Sequence, residues 1–179
     1  TDATVMAANI TGESARDMSD YLTAVVNGYG MVANEAMSVV DKLAAVGAST
    51  ASDFGELSVG MSKVASMAKT AGVPIEKLAA QLSTIISTTK EAPESVGTSL
   101  KTIYSRMLQF KTGTGKDSEG EDFSVPAVEK ALEKFNQSAG TSISIFGKDG
   151  KLREDMSTVL EELGEKWDQV TDQQAKFGV

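Results

Sequence analysis

The chain has 179 residues, of which 41% are hydrophobic and only 6% aromatic, with 17 basic residues against 25 acidic ones for a formal net charge of −8. That length suits one domain, or one domain with an appendage, and can bury roughly two thirds of its unfolded surface. Cysteine and histidine are absent, which removes disulfides, imidazole bases and the usual zinc ligands together, and the acidic balance excludes a phosphate-coating surface, which needs clustered Lys and Arg.

No apolar run reaches the roughly 20 residues of a membrane span, and the opening TDATVMAANI lacks the basic start of a signal peptide. The segment reads as soluble and as an internal piece of a longer polypeptide. From Ser14 to Asn27, a Ser14/Asp17 capping box and the stripe Met18, Leu22, Val25, Val26 predict a first helix, stopped by Gly28 and Gly30. Residues 31–46 repeat the plan with Val32, Ala36, Val39, Val40 and Leu43 inward and Gly47 just past the end. Ser52 is the expected cap of a third helix carrying Leu57, Met61, Val64 and Ala68, which Gly72 ends. Pro74 opens a fourth, with Ile75, Leu78, Leu82, Ile85 and Ile86 buried, and the chain breaks from Thr88 to Pro93. The fifth helix places Val96, Leu100, Ile103, Met107 and Phe110 on one face, with Lys101, Arg106 and Lys111 toward its C-terminal, dipole-negative end.

Residues 111–124, KTGTGKDSEGEDFS, have no apolar period and read as a flexible acidic and glycine-rich linker. Ser124 to Phe135 reads as a short helix with Val128, Leu132 and Phe135 inward, and SISIF with KLR around a GKDG turn predicts a small β-hairpin near 142–153. Asp155 caps a last helix with Met156, Val159, Leu160, Leu163, Trp167 and Val170 inward, and Thr171 with Gln174 forms a further capping box. The fold expected is mainly α, a bundle of about seven short-to-medium helices plus that hairpin. Its parts are a helical core at 1–110, the linker at 111–124, and a helix, hairpin and helix at 125–179. No heptad and no internal repeat runs through the chain, so a continuous coiled coil is excluded.

Chemistry is sparse. Two SxxK pairs, Ser66/Lys69 and Ser87/Lys90, match the spacing of a nucleophile and base, yet companion motifs are lacking and both read as exposed helix positions. Asp117, Glu119, Glu121 and Asp122 alternate like calcium ligands without the glycine such a loop needs, so a solvated acidic loop is the plainer reading. Glu161 and Glu162 do not converge with other acids, as general acid/base work requires. The glycines at 28–30 and 113–115 lack the strand-to-helix setting of a phosphate loop. Met18, Met31, Met37, Met61, Met67, Met107 and Met156 are read mainly as core, with an adaptable partner groove as the alternative. Trp167 is read as a core anchor rather than a ligand platform. No cofactor or metal site is expected, and no enzymatic activity.

Five stretches carry a resemblance: DYLTAVVNGYG (20–30), VVDKLAAVG (39–47), AGVPIEKL (71–78), PESVGTSLKTIYSRM (93–107) and DGKLREDMSTVLEELGEKWDQVTDQQ (149–174). In that order they resemble the recurring motifs of the globular core segment of phage tail tape-measure proteins, over about residues 20–178. The most specific is the pattern formed by Glu94, Val96, Gly97, Thr98, Leu100, Lys101, Thr102, Ile103 and Arg106. The chain departs from the family at the 111–124 linker and at FNQSAGTSISIF, which is longer than the usual form.

The resemblance implies a structural virion protein in the tail lumen or tip, present in the host cytoplasm during assembly, whose long chain sets tail-tube length and leaves the tube at DNA ejection. It implies other copies of the chain, tail-tube and tail-tip or baseplate proteins, and assembly chaperones as partners. It implies no specific nucleic-acid binding, and membrane contact only through other parts of a longer chain. No reaction is attached to the motif. Gly97 and Thr98 are expected to let their helix approach a neighbour closely, while Lys101 and Arg106 either face acids elsewhere or simply favour the helix end. Other readings are a cell-wall hydrolase module, a membrane-active delivery segment, and a generic helical adaptor.

Overall fold

The computed structural model describes residues 2–50, 52–109 and 126–170. Its helices are α1 (Asp2–Thr11), α2 (Ala15–Gly28), α3 (Ala36–Ser49), α4 (Phe54–Thr70), α5 (Ile75–Thr89), α6 (Pro93–Gln109), α7 (Pro126–Ala139) and α8 (Ser157–Lys166), with single 3-10 turns at Ala33–Glu35 and Trp167–Gln169. Internal contacts divide the chain into two units, Thr1–Ser105 and Arg106–Val179. The expected linker 111–124, Phe110 and the Thr171/Gln174 box lie outside the described residues, as does the Val128 side chain.

In the first unit α4 is the central element, touching α1, α2, α3 and α5. The reason is its sequence: Leu57, Met61, Val64 and Ala68 are buried on one side and Phe54, Ser58, Gly60 and Ala65 extend that surface around the helix. Each large apolar side chain among them contributes about 1.5–3 kcal/mol on burial. The stripe predicted for α2 is buried throughout, as are Ile75, Leu78, Leu82 and Ile86 of α5. Two helix ends are built alike: Gly30 (φ 67°) and Gly72 (φ 75°) take left-handed backbone that only glycine adopts without cost. Their N–H groups donate to Asn27 and Lys69, while Met31 N–H reaches the Val26 oxygen (2.8 Å) and Val73 N–H the Ala68 oxygen (2.9 Å). This closes the last carbonyls of α2 and α4.

Several expectations are corrected. α1 was not expected, because its ten residues show no large apolar stripe facing inward; it buries only Ala3, Thr4 and Ala7. Gly47 lies inside α3, which runs on to Ser49. Val32, expected inward, precedes that helix and is 59% exposed. The cap of α4 is Asp53, not Ser52: Glu56 N–H donates to the Asp53 carboxylate (2.8 Å) and Asp53 N–H to that of Glu56 (3.1 Å), a reciprocal box. Ser52 is instead buried and donates to the Ser83 carbonyl at 3.2 Å.

The second unit has a small core of Leu132, Phe135, Ile143, Ile145, Val159, Leu163 and Val170, with Met107, Ala139, Phe146 and Leu152 packed against it. The hairpin expected near 142–153 does not form. Among the described residues there is no strand, only an isolated antiparallel bridge between Phe146 and Leu152. Two backbone bonds flank that bridge, Gly147 N–H to the Lys151 carbonyl at 2.7 Å and Arg153 N–H to the Ile145 carbonyl at 3.0 Å, but the Ile143 groups that would extend them into a ladder are taken by a side chain. Asn136 on α7 accepts from Ile143 N–H and donates to Ile143 C=O, both at 2.8 Å, and the Ser144 hydroxyl accepts from Phe146 N–H at 3.0 Å. Saturated side-chain to backbone bonds of this kind compete directly with sheet pairing. The result is an irregular segment that buries Ile143 and Ile145, with a single bridge in place of a hairpin.

Candidate functional site

The residues singled out by the sequence lie mostly on α6. Glu94 stands in its first turn, where a carboxylate complements the positive end of the helix dipole. Val96, Gly97 and Leu100 are buried, and so is Tyr104, whose hydroxyl donates to Gln81 on α5. Ile103 was expected on this face but is 40% exposed, because the buried line runs through 96, 97, 100 and 104. Gly97 explains that rotation. A Cβ at Gly97 would overlap the Gly60 carbonyl oxygen and stand 3.1 Å from the Lys63 Cβ, so α6 lies directly on the α4 backbone.

Gly60 is constrained from two sides: a Cβ there would lie 3.0 Å from Leu82 Cδ2 and 3.3 Å from the Pro93 carbonyl oxygen. A third glycine does the same work on another flank of α4, since a Cβ at Gly28 would come within 2.7 Å of the Ala65 Cβ and 2.9 Å of the Ser66 nitrogen. Neither Gly60 nor the packing role of Gly28 was recognised from the sequence. A lone glycine inside a strong helical period, as in VGM at 59–61, was the available signal for Gly60. Gly28 was masked by its position at a helix end, where a stop is the usual reading.

The remaining motif positions face outward. Thr98, Lys101, Thr102 and Arg106 are exposed, and the Thr102 hydroxyl donates back to the Thr98 carbonyl at 3.0 Å. Thr98 therefore takes no part in the close approach that Gly97 makes. Lys101 and Arg106 form no ion pair among the described residues. Near the start of α6, partial burial, followed by the carboxylates of Asp17, Glu94, Glu13 and Asp20, holds the Tyr21 phenol above its ordinary value. Trp167 follows α8 in the second unit, 38% exposed, with its ring 6.1 Å from that of Phe135.

Three of the five resembling stretches meet at one corner of the first unit. The Tyr29 hydroxyl, from NGYG, donates to the Val73 carbonyl, from AGVP, at 3.1 Å across the two glycine-closed helix ends. Lys42, from VVDKL, pairs with Glu76, from PIEKL, at 2.8 Å. That hydrogen bond, then a backbone one, holds the Glu76 carboxyl below its ordinary value. An open cleft of about 300 Å³ lies here, lined by Tyr29, Met31, Lys42, Lys69 and the Gly72–Glu76 turn. In the second unit Arg153 grips Glu162 with two bonds of 2.6 and 2.9 Å beside a cleft of about 350 Å³.

The chemistry of these places is that of packing and ion pairing. No hydrogen bond joins Ser66 to Lys69, and the Ser87 hydroxyl is spent on the Thr84 carbonyl. Among the described residues no cluster of acids is arranged to hold a metal, and no helix is long and apolar enough to cross a membrane. Asp117, Glu119, Glu121 and Asp122 lie outside them. Of the methionines, Met18, Met61 and Met156 are buried, Met31 lines the first cleft, and Met37, Met67 and Met107 are half-buried.

Compared with known families, residues 1–178 match the model of the phage-related minor tail proteins. The chain belongs to that family. This makes it a phage tail protein, associated with the virion and with other tail proteins. No solved structure matches it.

Proposed function

We propose that this minor tail protein segment is a folded module of a tape-measure chain, part of the chain that sets tube length, occupies the tail lumen or tip and leaves at DNA ejection. The observation that carries the reading is the ordered set of motifs from Asp20 to Gln174 within the family match over 1–178. A ruler translates residues into length at about 1.5 Å per helical residue. The longest described helices, α4 and α6, have 17 residues each, a rise of only about 25 Å. The module is therefore a folded body carried by the ruler, not the ruler itself, and length would be metered by other parts of a longer chain.

The module acts without catalysis, alongside other copies of the chain and held by tube and tip proteins. The outer face of α6, with Lys101 and Arg106 free of ion pairs among the described residues, is the surface offered to those neighbours. In-frame deletion of residues 1–178 from the phage-encoded chain tests this. Loss of tails, or tails of irregular length, is expected; tails of normal number and length would overturn the reading. Purified protein is expected to release nothing from peptidoglycan, and turnover there would move the assignment to a cell-wall hydrolase.

A further inference from the structure

We draw no further inference here: the strongest candidate, the outward face of α1, where Val5, Met6 and Ile10 stand about half exposed while only Ala3, Thr4 and Ala7 face inward, carries nothing because no feature of the structure shows what covers it.

Discussion

The two units solve the same problem, burying enough surface with few aromatics, by different means. Residues 1–105 bring helices close by removing side chains: Gly97 seats α6 on Gly60, and Gly28 seats the end of α2 on Ala65. Among the described residues of 106–170 no glycine is pressed against another helix; Phe135, Leu132 and Ile145 centre the core, and one asparagine holds an irregular segment in place. The first design depends on backbone proximity and tolerates no added atoms. The second depends on hydrogen bonds and tolerates no lost ones.

Gly97→Leu should break the first design outright. Overpacking ordinarily costs about 1–3 kcal/mol, and here the obstacle is backbone, so the loss should exceed about 3 kcal/mol and lower the melting temperature by more than about 12 °C. Thr98→Ala, one residue away and exposed, should stay within about 0.5 kcal/mol. Equal melts for the two variants would remove the close-packing explanation of α6.

The second design is addressed by Asn136→Ala. Its side chain satisfies Ile143 N–H and C=O and accepts from the Thr141 hydroxyl at 2.8 Å, so truncation leaves backbone groups unpaired at a cost of about 2–3 kcal/mol. Amide exchange should accelerate at 132–163 and stay unchanged in α4. Acceleration of both regions together would mean that the two designs are not separate.

Lys90→Gly should act in the opposite direction. Lys90 is the one non-glycine residue with positive φ among those described, at 59° in the cap of α5. Glycine relieves a left-handed cost of about 1–2 kcal/mol and gives back part of it through the unfolded chain, for a net gain of about 0.5–1 kcal/mol. Denaturant unfolding would read this as a higher midpoint with unchanged slope.

The smallest effect concerns pH. The Glu76 carboxyl is lowered in the folded state by Lys42, so its contribution is fully present above the unfolded value, about 4.3, and disappears as pH falls through the lowered folded value. With both partners partly exposed, the difference should be under about 1 kcal/mol. Lys42→Met should remove it, making the pH dependence of stability between about pH 5 and pH 3 shallower.

What the sequence made legible follows the same division. Periodicity is a strong signal where a long helix buries one apolar stripe, so α2, α4 and α5 were readable almost residue by residue. It fails where small side chains carry the packing: α1 buries alanines and a threonine, and α6 is turned so that Gly97 rather than Ile103 faces in. It also fails where a distant side chain claims the backbone. The alternation in SISIF is real and one bridge forms, yet Asn136 takes the Ile143 groups that would extend it into a hairpin ladder. The candidate motif was legible as a pattern, but its split into a packing half and an exposed half required the position of Gly60.

The most direct measurement is the electron density of an assembled tail carrying this chain. Density for the α1–α6 bundle on the tail axis, enclosed by tube or tip subunits and contacted along the outer face of α6, is the expected result. Complete tails in which this segment is absent from both lumen and tip would contradict the tape-measure role while leaving membership of the minor tail family intact.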